Sequence, residues 1–467
     1  MPLCTPRTAV LTLLAAAVAA LAIAPARVHA SARQTMTFEA PRDLLDPSTR
    51  DQALDEVTSL GVNSLRIVLY WHNVAPAADS RVRPSFDATD PGAYDWGQYE
   101  ALIADAKRRG FSILLTVSGP VPRWATNGAK DTLTRPSPSE FGKFMTAVAR
   151  QFGSRVDRFS IWNEPNQPQY LLPQFDARHR AVSPGIYRNL FLAAQRGLRA
   201  AGMQKKPVLL GETSPRGTSH VVAPLTFLRG TLCLDSRYHR TNKHCKKLDV
   251  AGYAHHAYTT VQGPFFKPPG PNDVTIGVIS RLTTTLDRAA RAGMIPRRLP
   301  IALTEFGIQS KPDPYYGVSL LRQNEYRAIS ERIAYANPRV FAFSQYLLRD
   351  DLPDAPTGKY GGFESGLRFS DGRAKPSLAG FRLPVSAKIA GGGISLWGLV
   401  RPATGVTTAT VEYADPGKHF RKLADVKTDS RGIWQRKTTN RSGRRWRVRW
   451  TAPSGTVYVS PPVRAYR

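Results

Sequence analysis

The chain has 467 residues, 42% of them hydrophobic, with 8 Trp, 17 Tyr and 19 Phe, which excludes a disordered chain and supplies a sizeable core. Sixty-five Lys and Arg against 35 Asp and Glu give a formal charge of +30. That field favours anionic partners, acidic polysaccharides, anionic envelope polymers or lipid headgroups before nucleic acid, unless it only follows a basic proteome or habitat.

The chain opens with Arg7, an apolar run from Ala9 to Ala24, and Val28-His29-Ala30. This pattern predicts a secretory signal peptide over residues 1–30, with the mature protein starting near Ser31. A transmembrane anchor is the competing reading, but the run is short for a bilayer and ends in small residues, and no later stretch is long enough to span. Cleavage removes Arg7 and Arg27 and takes the charge from +30 to +28. The remaining 437 residues exceed what one core usually holds, so a large domain followed by a smaller one is expected.

From residue 36 to about 350, short β-rich apolar runs alternate with segments of helical period. The runs are Met36 to Glu39, Ser64 to Trp71, Ser112 to Gly119, Asp157 to Glu164, Pro207 to Glu212, Leu248 to Tyr258, Pro300 to Gly307 and Val340 to Leu347. Eight βα units over this length predict an α/β fold, a closed (β/α)8 TIM barrel spanning residues 31–383. The helices between them carry stop signals: Asp51 to Leu60 is followed by Gly61, Tyr99 to Arg109 by Gly110, Pro184 to Ala201 by Gly202 and Val278 to Ala292 by Gly293. Ser137-Pro138-Ser139-Glu140 opens another.

Cys4 leaves with the signal, so Cys233 and Cys245 remain as an even pair in an oxidising compartment, and a disulfide closing a short loop is expected. His239 and His244 lie inside that loop, but the spacing matches no zinc module, and neither a metal nor a cofactor is expected. After Pro384-to-Gly393 the texture changes to Thr and Val alternating with polar residues between turn signals, which predicts an all-β sandwich over 384–467. This segment holds 16 Lys and Arg against 4 Asp and Glu. In Arg444-Arg445-Trp446-Arg447-Val448-Arg449-Trp450, alternation places Trp446, Val448 and Trp450 on one face and Arg on the other. That cationic face is either simply solvated or a surface for an anionic glycan or envelope polymer.

In a parallel barrel the catalytic groups stand at the C-terminal ends of the strands. Strand four ends Ile161-Trp162-Asn163-Glu164 and strand seven ends Leu303-Thr304-Glu305. Two carboxylates facing each other across a barrel mouth are what glycoside hydrolysis requires, one to protonate the leaving oxygen and one on the opposite face of the sugar. A separation of roughly 4 to 7 Å is expected for a retaining pair. A solvated loop acid is the alternative for either residue taken alone.

Trp162-Asn163-Glu164-Pro165 resembles the strand-four signature of clan A glycoside hydrolases, with family 39 closest in texture and family 5 next. The resemblance implies that Glu164 is the acid/base, Asn163 binds the sugar 2-hydroxyl and Glu305 is the nucleophile. It implies an Arg on strand two near the nucleophile, here Arg66, and a His-x-Tyr on strand six, here His256 and Tyr258, with the Tyr hydroxyl donating to the nucleophile. A metal on His255 and His256 is disfavoured because strand neighbours point to opposite faces. Trp71 and Trp124, in stretches that resemble family 39, are candidate sugar platforms or core fillers. Strand eight departs from the clan, whose usual Trp is absent from Phe343-Ser344-Gln345-Tyr346-Leu347, so Tyr346 or Gln345 takes that place. The expected function is a secreted, retaining hydrolase of O-glycosidic, β-linked bonds in a polysaccharide or oligosaccharide. A non-catalytic glycan-binding protein on a degenerate barrel and an envelope transglycosylase are the alternatives. The sugar and linkage are not legible.

Overall fold

The computed structural model describes residues 31, 34–126, 128–354, 359–360 and 362–467; the expected signal peptide lies outside them. Eight parallel strands form a closed barrel in sequence order: β1 (Thr35–Glu39), β2 (Ser64–Tyr70), β3 (Ser112–Ser118), β4 (Arg158–Ile161), β5 (Val208–Thr213), β6 (Gly252–His256), β7 (Ile301–Glu305) and β8 (Val340–Tyr346). Closure is made by β1 on β8, with Thr37 opposite Ser344 and Glu39 opposite Tyr346. Each strand lies inside or within a residue of the run expected from sequence. β4 and β6 are shorter than expected. β4 stops at Ile161, where the backbone leaves the extended region and turns left-handed at Trp162 (φ 72°) and Glu164 (φ 39°). β6 begins only at Gly252, after a non-strand approach from Leu248.

The helices stop where glycine permits it. Gly61 (φ 79°) and Gly110 (φ 79°) reverse the chain into β2 and β3 in conformations that cost an L-residue free energy. At Gly61 a Cβ would also stand 2.2 Å from the Arg401 carbonyl oxygen. Ser137 caps the helix Pro138–Phe152 by accepting from the Glu140 N–H.

Most of the core lies between the strands and the surrounding helices. Inside the barrel, at the N-terminal ends of the strands, Leu114, Leu209, Ala254, Ala302 and Ala342 form a separate apolar plug. Period-two alternation then places Arg66, Thr116 and Ser160 above it, so the interior becomes polar towards the C-terminal mouth.

A two-stranded hairpin, β9 (Pro353–Asp354) and β10 (Lys359–Tyr360), and the helix Pro376–Arg382 lead to the C-terminal part. There β11 (Val385–Ala390), β12 (Gly393–Leu399), β13 (Thr408–Ala414), β14 (Arg421–Lys427), β15 (Ile433–Thr439), β16 (Arg445–Thr451), β17 (Val457–Val459) and β18 (Val463–Tyr466) form a sheet in the order β14-β13-β16-β18-β11-β12-β15, with β17 on β16. It folds around its own core of Leu396, Val411, Trp434, Trp446, Val448 and Trp450. Trp446, Val448 and Trp450 face inward, as the alternation requires. The domain docks on the helix Leu320–Ala336 through a buried Arg401 to Glu331 pair at 2.7 Å, Glu331 also holding Arg327 at 2.8 Å. Among the described residues no helix is long and apolar enough to cross a membrane.

Candidate active site

The C-terminal mouth holds a cavity of about 450 Å³. Glu164 enters it from the turn after β4. That turn is fixed at three points: Trp162 N–H donates to the Val117 carbonyl (2.9 Å), Asn163 N–H to Ser118 Oγ (3.0 Å), and Glu164 N–H to the Glu212 carbonyl (3.0 Å). These bonds hold the left-handed conformation that aims Glu164, a strain that the surroundings must over-determine. Asn166 then locks the β4 turn to the β5 loop, donating to Ser214 Oγ (2.9 Å) and accepting from Ser214 N–H (2.8 Å).

Glu305, the last residue of β7, stands across the mouth. Its Oε1 accepts from the Tyr258 hydroxyl at 2.7 Å and its Oε2 from Arg66 at 3.0 Å. His256 lies between the two acids, its Nδ1 2.8 Å from Glu164 Oε1 and 3.5 Å from Glu305 Oε2. Two oxygens that share one nitrogen at these distances are separated by no more than the sum, about 6.3 Å, which is below the roughly 6.5–9.5 Å of inverting pairs.

The electrostatics divide the two acids. At Glu164 burial pushes the carboxyl up, and the His256 hydrogen bond and charge only partly oppose it, so it rests above the ordinary carboxylate range. At Glu305 burial also works upward, but the His256 and Arg66 charges and the Tyr258 hydrogen bond outweigh it, and the group lies below that range. His256 is raised: burial disfavours its cation, but Glu305 and Glu164 more than compensate.

Arg66 is fully buried and serves four partners. Besides Glu305 it donates to Asn163 Oδ1 (2.6 Å), to Glu212 Oε2 (2.6 Å) and to Glu39. Thr116 donates to the other oxygen of Glu212 at 2.8 Å. One guanidinium cannot neutralise three carboxylates in a dry site, and burial pushes Glu39 up to about 7 against the pull of Arg66.

Arg66 and His256 have no exposed side-chain surface and hold the carboxylates. Trp71 is not a sugar platform: its ring is fully buried, stacked on Phe144 (centroids 4.9 Å apart, 9° between planes) and edge-on to Trp124. Trp124 is 8% exposed, its indole N–H given to the Pro76 carbonyl, and it lies outside the cavity wall. The physical reason is parity. Arg66, Val68 and Tyr70 point into the barrel, so Trp71 turns outward to the helix Pro138–Phe152 and Tyr70 lines the cavity. Gln345 is buried, accepting from Arg327 Nε at 2.6 Å, which leaves Tyr346 as the β8 residue in the wall. Asn163, Tyr258 and Tyr346 line the cavity; Glu39, Tyr170 and Phe363 join them. Glu39 and Glu212 could have been read as acids ending strands one and five; Phe363 and Tyr170 come from loops that carry no such signal.

His255 faces away from His256, with Nε2 at 2.8 Å from the Val274 carbonyl and Nδ1 at 3.0 Å from Thr213 Oγ1. Burial lowers it to about 3, so its partners hold a neutral ring. Cys233 and Cys245 are disulfide-bonded. Among the described residues no group of three or more His, Cys, Asp or Glu is arranged to hold a metal ion.

A closed parallel barrel with carboxylates at the ends of strands four and seven defines a clan A glycoside hydrolase. The family model for cellulase, glycosyl hydrolase family 5, matches residues 28–329, and the chain belongs to that family. Among solved structures, a family 39 glycoside hydrolase from Bacteroides cellulosilyticus WH2 superposes with a TM-score of 0.53 at 15% identity, over 89% of this chain and 80% of that one. A glucosidase from Croceicoccus marinus gives 0.53 at 10% identity, over 93% and 97%. Both are likenesses of fold. No curated protein matches by sequence.

Proposed function

We propose that the protein is an exported, retaining glycosidase acting on β-linked glycans by double displacement, with Glu305 as nucleophile and Glu164 as acid/base. The observation that carries this is the pair itself: two acids joined through one imidazole nitrogen, one with its proton affinity raised and the other with its proton affinity lowered. Glu305 Oε attacks the anomeric carbon as the glycosidic C–O bond breaks, and the Glu164 proton passes to the departing oxygen. Water then attacks the glycosyl ester and gives a proton to the Glu164 carboxylate, releasing Glu305. Arg66 and Tyr258 keep the nucleophile ionised until it attacks. Asn163 Oδ1 is taken by Arg66, which leaves its amide Nδ2 to donate to the sugar, and Tyr346 with Phe363 offers aromatic faces to the ring.

Azide tests the assignment. Glu164→Ala should hydrolyse substrates with good leaving groups and form a β-glycosyl azide, whereas Glu305→Ala should be inert until azide replaces it and gives the α-anomer. An α-azide from the Glu164 variant would reverse the two roles. Export rests on the pattern in residues 1–30, and the excess of cations over acids in residues 384–467 supports retention of an anionic glycan or envelope polymer there. Mass spectrometry of the processed N-terminus, and salt-sensitive binding of the full chain to acidic polysaccharide, check these two inferences.

A further inference from the structure

The cavity wall contains three carboxylates, Glu39, Glu164 and Glu305, and among the described residues a single cation, Arg216. Arg216 stands in the loop after β5, two residues beyond the Ser214 that Asn166 ties to the acid/base turn. It therefore belongs to the Glu164 side of the cavity, where the leaving group sits. Its backbone is pinned on both flanks: Val274 N–H donates to the Pro215 carbonyl at 2.8 Å, and Gly217 N–H to Asp273 Oδ1 at 2.9 Å. The guanidinium lies over the Phe266 ring at 5.6 Å. Unlike Arg66, it has no carboxylate within salt-bridge reach among the described residues.

We propose that Arg216 is a specificity-determining residue that receives the carboxylate of a uronic acid on the leaving-group side of the scissile bond. The inference rests on the assignment of Glu164 as acid/base. A half-buried, pre-positioned guanidinium facing a cavity loses hydration when a sugar covers it, and a planar carboxylate returns more than a neutral hydroxyl through paired, charge-assisted hydrogen bonds. The protein's net charge of +30 draws the same ligands towards the mouth. A neutral glycan would instead leave Arg216, the single cation of the wall among the described residues, without a carboxylate partner.

The leaving-group side is also where an acceptor binds the glycosyl-enzyme, so acceptor choice reads it directly. In that step the ester bond to Glu305 breaks, the acceptor oxygen bonds to the anomeric carbon, and its proton goes to the Glu164 carboxylate. The full-length enzyme is loaded from a 4-nitrophenyl glycoside of whichever glycan it cleaves, and methyl glucuronoside competes with methyl glucoside at equal concentration and low salt. The expected transfer ratio favours the glucuronoside by about tenfold or more; Arg216→Gln should bring it near one, and Arg216→Lys should restore part of it. Being a ratio, it is insensitive to a shared loss of activity. Equal transfer by the wild-type enzyme, or a preference that survives Arg216→Gln, overturns the proposal while the glycosidase reading stands. Failure to cleave any glycan, or activity unchanged in Glu305→Ala, removes that reading and this inference with it.

Discussion

Arginine meets carboxylate at both ends of the molecule, under opposite conditions. At the barrel mouth Arg66, with no solvent exposure, is shared by Glu39, Glu212 and Glu305. In the C-terminal sheet Arg447 and Arg449 flank Glu412, with 25% and 43% of their side chains exposed. The first arrangement shifts proton affinities and positions Glu305, because little water remains to screen it. The second trims the cationic face of β16, leaving two of its Arg partly neutralised, and contributes little to stability. Burial, more than the number of ion pairs, decides what a charge can do.

The contrast can be broken most forcefully at Glu305, the proposed nucleophile. Glu305→Ala should lower kcat on the order of 10⁴-fold or more while the fold persists, as checked by steady-state kinetics beside circular dichroism. Arg66→Met should come next, since removing it leaves three glutamates facing one another in a dry site; a loss of about 3–5 kcal/mol is expected in urea unfolding. Trp71→Ala should cost a similar amount, about 3–5 kcal/mol, with no change in KM, because the ring fills core and touches no sugar. A raised KM at unchanged stability would restore the platform reading.

Smaller in effect is the pH profile. In the proposed roles the active form has Glu305 ionised and Glu164 protonated, so kcat/KM should fall as pH drops through the lowered pKa of Glu305 and as pH rises through the raised pKa of Glu164. Glu164→Ala, assayed with an activated aryl glycoside, should lose the alkaline limb and keep the acid one. Glu412→Ala should be smallest, about 0–1 kcal/mol and fading with salt. A loss comparable to that of Arg66→Met would show that exposure is not the deciding variable.

The sequence by itself determined the barrel, the all-β C-terminal part and the two facing acids, because each depends on local periodicity: strand, helix, glycine, repeated, with Glu164 and Glu305 at the ends of strands. The position of Arg66 near the nucleophile came from the family resemblance, whereas period-two alternation counted on from Arg66 through Val68 would have put Tyr70 in the cavity and Trp71 in the core. Tertiary structure alone decided that Arg66 would also meet Glu39 and Glu212, since these are 27 and 146 residues away and converge on it only when the barrel closes. It decided too that His256 bridges the two acids, that the turn at Glu164 is left-handed, and that Arg216 in the wall has no carboxylate within salt-bridge reach among the described residues. Proton affinity and charge balance in a buried site are sums over neighbours in space, and the order of residues along the chain does not contain those distances.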